Sequence, residues 1–313
     1  MELFETRMVY GDALADLGQM RPDIVVLDAD LYKSTRTVVF AQKFPDRFFD
    51  MGIAEQDMLS TAAGLAASGF IPYANSFALF ITARCYDQIR IQIAYPALPV
   101  RICGSSAGLT QGPDGASHQS LEDISLMRGL PNMTVIVPAD DVETRQATMA
   151  LADWPGPAYL RLGRYPTPRL FGADYRFQVG KNTTLRDGKD IVIFATGHMT
   201  AKALQAADLL AREHVDARVV NVSTIKPLDR VGVLQAVTGV GHVFTVEEHN
   251  IIGGLGSAVA EVLAEESAVP LTRLGVRDQF GESGLADELL EKHGLQPQGI
   301  YSSIMSTLRA PRK

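Results

Sequence analysis

Glu55 is the first candidate for acid–base chemistry, because it stands in the stretch MGIAEQDM among apolar neighbours. Loss of contact with water raises the pKa of a carboxyl group, so an acid in such surroundings can carry a proton at neutral pH and donate a hydrogen bond. The alternative is that an acid in the first turn of a helix favours the helix dipole and caps free amide groups. Position alone favours the cap, so other residues must decide.

A glycine-rich segment, GSSAGLTQGPDGASHQS, places Asp114 and His118 four residues apart. An acid beside a base that titrates near neutrality could handle hydroxyl and proton chemistry on a substrate. A long loop in a compact domain is more often functional than idle, although a plain surface loop remains the alternative. The segment lacks the GK[ST] ending of a phosphate-binding P-loop. The six histidines of the chain show no paired spacing typical of a metal site.

Two aromatic residues, Phe77 and Phe80, stand three positions apart in NSFALFITARCYDQIR. Core packing is the default interpretation of such a pair on a helix. Aromatic faces next to an uncharged strand end could equally stack on a flat heterocycle. The sequence alone leaves both interpretations open.

Short β-rich runs alternate with helical patterns in the first half of the chain, where DIVVLDA, LPVRICG, MTVIVPA and AYLRLG are predicted strands. This alternation predicts an α/β domain with a mostly parallel sheet. In such sheets ligands bind beyond the carboxyl ends of the strands. The loops to inspect therefore follow Asp28, Asp50, Asn75, Cys103 and Ala139.

A segment rich in proline, glycine and turn residues divides the chain. We predict a first domain over residues 1–170, a linker over 171–188 and a second domain over 189–313. The second unit also alternates, with DIVIFATG, DARVVNVS and GHVFTVEEH as strands between helical stretches. The predicted fold class is α/β, with two domains that each contain a mostly parallel sheet flanked by helices.

Composition excludes several classes of protein. The chain has 313 residues, 46% of them hydrophobic, so it can bury a large core. Its net charge is −7 with scattered basic residues, which argues against nucleic acid or anionic lipid and favours a small polar or phosphorylated partner. Two isolated cysteines and an amino terminus unlike a signal sequence predict a cytoplasmic protein. No residue from Met58 to Ala83 is charged, but glycine, proline and asparagine interrupt this run, which predicts buried elements rather than a membrane span.

Several motifs together resemble one known family. MGIAEQ, SFALF with YDQIR, GPDGASHQ, VIVPAD and YLRLGR follow one another in the order and approximate spacing of the thiamine-diphosphate-dependent transketolase family, and TVEEHNIIGGLGSAVAE continues the match in the second unit. The resemblance covers nearly the whole chain. It implies the pyrimidine-binding domain and the carboxy-terminal domain of transketolase and of the related deoxyxylulose-phosphate synthase.

The resemblance implies a role for each residue near the cofactor. Glu55 is similar to the family glutamate that donates a hydrogen bond to a ring nitrogen of the aminopyrimidine of thiamine diphosphate. Phe80, with Phe77 beside it, would stack on the same ring, although Ala83 replaces a further aromatic residue that family members often have. Asp30 matches the family acid near the thiazolium.

The resemblance also implies the substrate contacts. Asp114 and His118 match the acid and the histidine that contact the hydroxyls and the carbonyl oxygen of a sugar substrate, with His118 also assisting proton transfer. Arg164, Arg7 and Ser34 match family contacts to the substrate phosphate. A guanidinium fork suits the geometry of a phosphate, so three such donors form a plausible clamp.

One departure from the family pattern changes the expected assembly. No Gly-Asp-Gly segment with a downstream Asn, which holds magnesium and the cofactor diphosphate in the family, is present, and the chain begins directly with the pyrimidine-binding domain. The resemblance therefore implies the small subunit of a split transketolase. It would transfer a two-carbon ketol unit between sugar phosphates together with a partner subunit that carries the Gly-Asp-Gly motif and magnesium, in an α2β2 heterotetramer.

Three alternatives remain open. A deoxyxylulose-phosphate-synthase-like chain would usually have an arginine where Ser106 stands. The β subunit of a 2-oxo-acid dehydrogenase usually lacks the DGxSHQ loop that carries Asp114 and His118. A noncatalytic paralogue that binds a partner would be expected to lose Glu55, His118 or Arg164, all of which are present.

Overall fold

The computed structural model describes residues 2–310. The strands are β1 Leu3–Phe4, β2 Ile24–Asp28, β3 Phe48–Asp50, β4 Ile71–Phe77, β5 Arg101–Ser105, β6 Thr134–Ile136, β7 Ala158–Arg161, β8 Thr167–Pro168, β9 Thr183–Arg186, β10 Ile191–Ala195, β11 Ala217–Asn221, β12 Thr224–Lys226, β13 His242–Asn250 and β14 Leu271–Val276. The α-helices are α1 Thr6–Met20, α2 Tyr32–Thr35, α3 Val38–Lys43, α4 Glu55–Ala67, α5 Tyr86–Gln88, α6 Asp123–Arg128, α7 Asp141–Leu151, α8 Met199–Arg212, α9 Arg230–Val237, α10 Leu255–Glu266, α11 Ala286–Lys292 and α12 Pro297–Arg309. Short 3₁₀-helices cover Pro45–Arg47 and Leu109–Asp114, and π-helical turns cover Phe80–Arg84 and Ile89–Ala94.

The first sheet has seven strands in the order β12-β6-β7-β5-β4-β2-β3. All its pairings are parallel except that of β12 with β6. Because successive side chains of a strand point to opposite faces, Val26 packs toward α1, α3 and α7, whereas Leu27 packs toward α4 and the helical segment 80–94. The sheet is therefore buried on both faces, as the near-continuous apolar strands predict.

The second sheet has five strands in the order β14-β13-β10-β11-β9, parallel except for β9. Helices α8 and α12 cover one face and helices α9 and α10 cover the other. The hydrophobic cluster under α9 and α10 is continuous with the core of the first domain. The two domains thus share a core, and the α/β fold class with two mostly parallel sheets is confirmed.

Two short strands depart from the sequence reading. Strand β9 lies inside the segment predicted as linker, residues 171–188, and pairs with β11 at the edge of the second sheet. Strand β12 follows β11 in the chain but pairs with β6 of the first sheet. Three- and four-residue edge strands with polar side chains carry too little periodicity to be distinguished from turn residues.

The uncharged run from Met58 to Ala83 forms most of α4, then β4, then the first part of a π-helical turn. Within residues 2–310, no helix is long and apolar enough to cross a membrane.

Candidate active site

The candidate residues gather at the carboxyl edge of the first sheet. Strands β2, β4 and β5 are adjacent in the sheet, and β4 lies between the other two. The segments that follow their carboxyl ends carry Asp30 and Ser34, then Phe80, then Asp114 and His118. Parallel strands bring such segments to one side, which is where open α/β sheets bind ligands.

Glu55 is the first residue of α4 and is only 2% exposed. Its Oε2 accepts a hydrogen bond from Nη1 of Arg84 at 2.7 Å, in an ion pair between a buried carboxylate and a half-exposed guanidinium. The neighbours of this acid in the sequence are apolar, and the structure adds a cation from the neighbouring π-helical turn. Glu55 lies in the first turn of α4, as the helix-dipole interpretation expected, and its side chain is paired with Arg84.

The aromatic residues lie against the histidine of the glycine-rich loop. The rings of Phe77 and Phe80 are stacked with centroids 6.0 Å apart. His118 meets both rings edge-on, with its centroid 5.1 Å from that of Phe80 and 6.1 Å from that of Phe77. The guanidinium carbon of Arg84 lies 4.7 Å from the Phe80 centroid. Glu55, Arg84, Phe80 and His118 thus form one continuous series of contacts.

A π-helical turn positions Phe80 and Arg84 together. Such turns are wider than an α-helix and are frequent at functional sites. Here the turn directs Arg84 back over the ring of Phe80, while the Gln56 amide donates to the Arg84 carbonyl at 2.9 Å and fixes the backbone against α4.

The glycine-rich loop owes its shape to residues in the left-handed region. Gly112 and Gly115 have φ values of +78° and +74°, where a side chain would be strained. Between them Asp114 ends a 3₁₀ turn, is exposed, and accepts a hydrogen bond from the side-chain amide of Gln111. Nδ1 of His118 lies 3.0 Å from Oγ of Ser117. Asp114 and His118 share the loop, but the structure shows no direct hydrogen bond between their side chains within residues 2–310.

The second domain holds this loop in place. The side-chain amide of Gln119, which is 3% exposed, donates to the carbonyl oxygens of Leu109, Gly112 and Glu282 at 3.2, 3.1 and 2.9 Å. A Cβ on Gly281 would lie 1.8 Å from Oε1 of Gln119, so only glycine allows this approach. The sequence analysis assigned no role to Gln119, and its place directly after His118 was the available signal.

A second contact between the domains comes from strand β13. The carboxylate of Glu248 accepts a hydrogen bond from the backbone amide of Thr110, at the start of the same loop. Burial raises the pKa of Glu248 to about 7. The loop that carries Asp114 and His118 therefore depends on residues from both domains.

Asp28 anchors the segment after β2. Its fully buried carboxylate accepts hydrogen bonds from the Leu31 amide at 2.7 Å and from the hydroxyls of Thr35 and Thr37 at 2.6 and 2.9 Å. Burial raises the pKa of Asp28 to about 6. Asp30 follows with φ +60° and is exposed in the segment that leaves the carboxyl end of β2.

Arg7 and Ser34, two residues of the predicted phosphate clamp, contact each other. Nη1 of Arg7 donates to the backbone carbonyl of Ser34 at 3.1 Å, so the contact uses the main chain and not the hydroxyl. Arg7 also pairs with Glu5 at 2.7 Å.

Arg164 is close to Arg7 because the residues that precede them in the chain, Gly163 and Thr6, are hydrogen-bonded to each other. The hydroxyl of Thr6 donates to the carbonyl of Gly163 at 3.1 Å and accepts from its amide at 2.9 Å. Arg164 is exposed and forms no ion pair within residues 2–310. Arg161, in contrast, is buried and pairs with Asp123 at 2.7 Å, so it belongs to the core.

Comparisons with known proteins identify the family of the chain. The model of the transketolase pyrimidine binding domain matches residues 3–168, and the model of the transketolase C-terminal domain matches residues 180–300. The chain belongs to the transketolase family. Proteins of this family generally use thiamine diphosphate. The similarity to transketolases implies that the chain belongs to a transferase.

Three similar proteins match this chain over nearly their whole length. A transketolase C-terminal section of Methanocaldococcus jannaschii is 44% identical over 97% of this chain and 96% of its own length. A 6-deoxy-6-sulfo-D-fructose transketolase subunit of Clostridium sp. strain MSTE9 is 45% identical over 94% of this chain and 91% of its own length. A solved split-gene transketolase, an inactive β4 tetramer, is 50% identical with a TM-score of 0.91, covering 99% of this chain and 100% of that chain. The family resemblance predicted from the motifs is confirmed.

Proposed function

We propose that the chain is the small subunit of a split transketolase, which transfers a two-carbon ketol unit from a ketose phosphate to an aldose phosphate. The series of contacts that runs from Glu55 through Arg84 to Phe80 and His118 carries this proposal, because it gathers a buried acid, a stacking face and a base at one sheet edge. A separate subunit with the Gly-Asp-Gly motif and downstream Asn would hold the diphosphate and magnesium. We place the assembled enzyme in the cytoplasm.

The residues fit the pyrimidine half of thiamine diphosphate. A flat nitrogen heterocycle needs a hydrogen-bonding carboxyl group and an aromatic face, and Glu55 and Phe80 supply them side by side. When bound, the cofactor supplies an electron sink for the carbon–carbon bond chemistry. Glu55 would hold or move a proton at a ring nitrogen, Phe80 with Phe77 would orient the ring, and Asp30 would face the thiazolium side.

The loop residues would act on the sugar. His118 packs against Phe80, so a substrate bound next to the cofactor ring lies within reach of its imidazole. His118 would move a proton at the substrate carbonyl oxygen or hydroxyl, and Asp114 would accept hydrogen bonds from substrate hydroxyls. These groups favour a hydroxyl-rich sugar over a 2-oxo acid such as pyruvate, which has no alcohol hydroxyl to bind.

Arg7, Ser34 and Arg164 would bind the substrate phosphate. They lie together next to the Thr6–Gly163 contact, and the guanidinium of Arg164 is exposed and forms no ion pair within residues 2–310. A guanidinium can donate two parallel hydrogen bonds to a phosphate, which supports a phosphorylated substrate. The sulfo-sugar relative supports including sulfonated ketoses as donors, since sulfonate also accepts such hydrogen bonds.

The proposed assembly is an α2β2 heterotetramer. The inactivity of a similar split-gene transketolase as a β4 tetramer supports the need for a different partner chain.

Ketol transfer by the complex with the N-terminal-half subunit tests this function. Glu55→Ala should lower kcat about 1000-fold, because acid–base groups contribute roughly 10²–10⁴-fold. Asp57→Ala, which removes an exposed acid from the same first turn of α4, is the matched control and should leave the rate unchanged. Ketol transfer by Glu55→Ala at a near-normal rate would disprove the proposed role, and a donor panel of ketose phosphates and sulfonated ketoses would identify the substrate.

A further inference from the structure

Arg84 contacts both groups assigned to the pyrimidine ring. Its Nη1 lies 2.7 Å from Oε2 of Glu55, and its guanidinium carbon lies 4.7 Å from the Phe80 centroid. A guanidinium is flat, donates hydrogen bonds to carboxylates and stacks on aromatic rings. Arg84 therefore makes within the chain the two kinds of contact that an aminopyrimidine would make with the same residues.

The burial of Glu55 gives this contact a physical reason. A carboxylate that is 2% exposed needs a partner, because an unpaired buried charge is strongly destabilising. Within residues 2–310, Arg84 is the ion-pair partner of Glu55. The free chain thus satisfies the acid with its own cation.

Arg84 can leave without refolding the site. Its side chain is 46% exposed, so the protein does not enclose it. Its backbone is held by the side-chain amide of Gln56 at 2.9 Å, which does not depend on the ion pair. Rotation of the side chain alone would expose the Phe80 face and one oxygen of Glu55.

We propose that Arg84 is an internal occupant of the pyrimidine position, and that it must leave both Glu55 and Phe80 when the ring of the cofactor binds. This inference rests on the proposed function, which assigns Glu55 and Phe80 to that ring. The ion pair opposes ring binding by the free chain. Binding of the diphosphate half by the partner subunit would offset this opposition, so that the site opens in the assembled enzyme.

Thiamine, which contains the aminopyrimidine but no diphosphate, is the probe for the isolated chain. Titration followed by calorimetry should show that Arg84→Met binds thiamine about tenfold more tightly than the wild-type protein, since methionine removes the charge and keeps much of the volume. Arg90→Met is the matched control, because Arg90 is an exposed arginine of the next π-helical turn, and it should bind like the wild-type protein. Equal or weaker binding by Arg84→Met overturns the inference.

A double-mutant cycle tests the ion pair without any ligand. Denaturant midpoints of Glu55→Gln, Arg84→Met and the double variant should be non-additive, with the double variant losing less than the sum of the single losses. Additive losses overturn the inference, because no ion pair would then need to be displaced.

The same titrations separate this inference from the proposed function. If wild-type protein binds thiamine and Glu55→Gln does not, but Arg84→Met gains nothing, the cofactor site stands and the role of Arg84 is overturned. If neither the wild-type protein nor Arg84→Met binds thiamine, the role of Arg84 is overturned, and the proposed function is decided separately by ketol transfer with Glu55→Ala in the assembled enzyme.

Discussion

The two ends of the candidate site differ in how their charges are satisfied. At the cofactor end, Glu55 is buried and paired with Arg84, and Phe80 is covered by Arg84 and His118. At the phosphate end, Arg164 is exposed and has no ion pair within residues 2–310. Arg7 is intermediate, because it is already paired with Glu5.

This difference indicates what each end needs from a ligand. At the cofactor end, Glu55 and Phe80 already contact Arg84, so a ligand must displace a contact that the chain makes with itself. The phosphate end presents a charge that only an added anion can neutralise, so a ligand gains a contact there without breaking one. Substitutions at the two ends should therefore affect ligand binding in opposite directions: removing Arg84 favours binding, whereas removing Arg164 weakens it.

The largest effect is expected at the scaffold of the phosphate end, where Asp28 holds the segment with Ser34. Asp28→Ala leaves the Leu31 amide and two hydroxyls without their acceptor, which should lower the free energy of unfolding by about 3 kcal/mol at pH 5. Burial raises the pKa of Asp28 from 3.8 to about 6, so its contribution is full below about pH 4 and is lost as pH rises through about 6.

The loss caused by Asp28→Ala should consequently be smaller at pH 8 than at pH 5, as measured by urea unfolding at both values. Asp46→Ala, at an exposed acid, should change stability little at either pH. A loss that grows from pH 5 to pH 8 would contradict the direction of the pKa shift.

The second-largest effect is expected at Arg164, whose guanidinium forms no ion pair within residues 2–310. Arg164→Met should raise KM for a sugar phosphate about 100-fold in the assembled enzyme, because a charge-assisted contact worth roughly 2–3 kcal/mol is lost and each 1.4 kcal/mol is about tenfold. Steady-state kinetics with phosphorylated and unphosphorylated sugars should show the rise only for the former. Arg212→Met, at an exposed arginine of α8, is the control. A fall in kcat with unchanged KM would move Arg164 from phosphate binding to another role.

The third effect tests how the second domain supports the loop between the two ends. Gly281→Ala would place a Cβ against Oε1 of Gln119 and displace the loop of Asp114 and His118, lowering kcat about tenfold. Gly64→Ala introduces a methyl group into open space on α4 and should have no effect. Shortening the neighbour in Gly281→Ala/Gln119→Asn should restore part of kcat. If thermal stability falls while kcat is unchanged, Gly281 serves folding and not loop position.

The sequence predicted the gathering of Glu55, Phe80 and His118 but not the ion pair that joins Glu55 to Arg84. Motifs that follow adjacent parallel strands must meet at one edge, so alternation and family order were enough for the first inference. Arg84 is 29 residues from Glu55 in the sequence. Their contact depends on a π-helical turn, which the hydrophobic periodicity of the sequence does not predict. The signal was its position as the first charged residue after the uncharged run from Met58 to Ala83.

The sequence did not predict the contacts between the domains, for a similar reason. Gln119 and Glu282 are 163 residues apart, and their hydrogen bond depends on how two separately predicted units pack together. Local patterns fix strands and helices, but they carry no information about the shared core that brings these residues into contact.

The smallest effect on KM is expected at Arg7, which is already paired with Glu5, whereas Arg164 forms no ion pair within residues 2–310. Glu5→Gln removes the anion that pairs with Arg7 at 2.7 Å, so the guanidinium becomes fully available to a phosphate. Exposed ion pairs are worth about 0–1 kcal/mol, so KM for a sugar phosphate should fall only about twofold. Asp12→Asn, the same change of one charge on an exposed residue of α1, should leave KM unchanged. A rise in KM would mean that Glu5 orients Arg7 for the phosphate and does not compete with the phosphate for Arg7. The ion pair of Arg7 would then assist ligand binding, unlike the ion pair between Arg84 and Glu55.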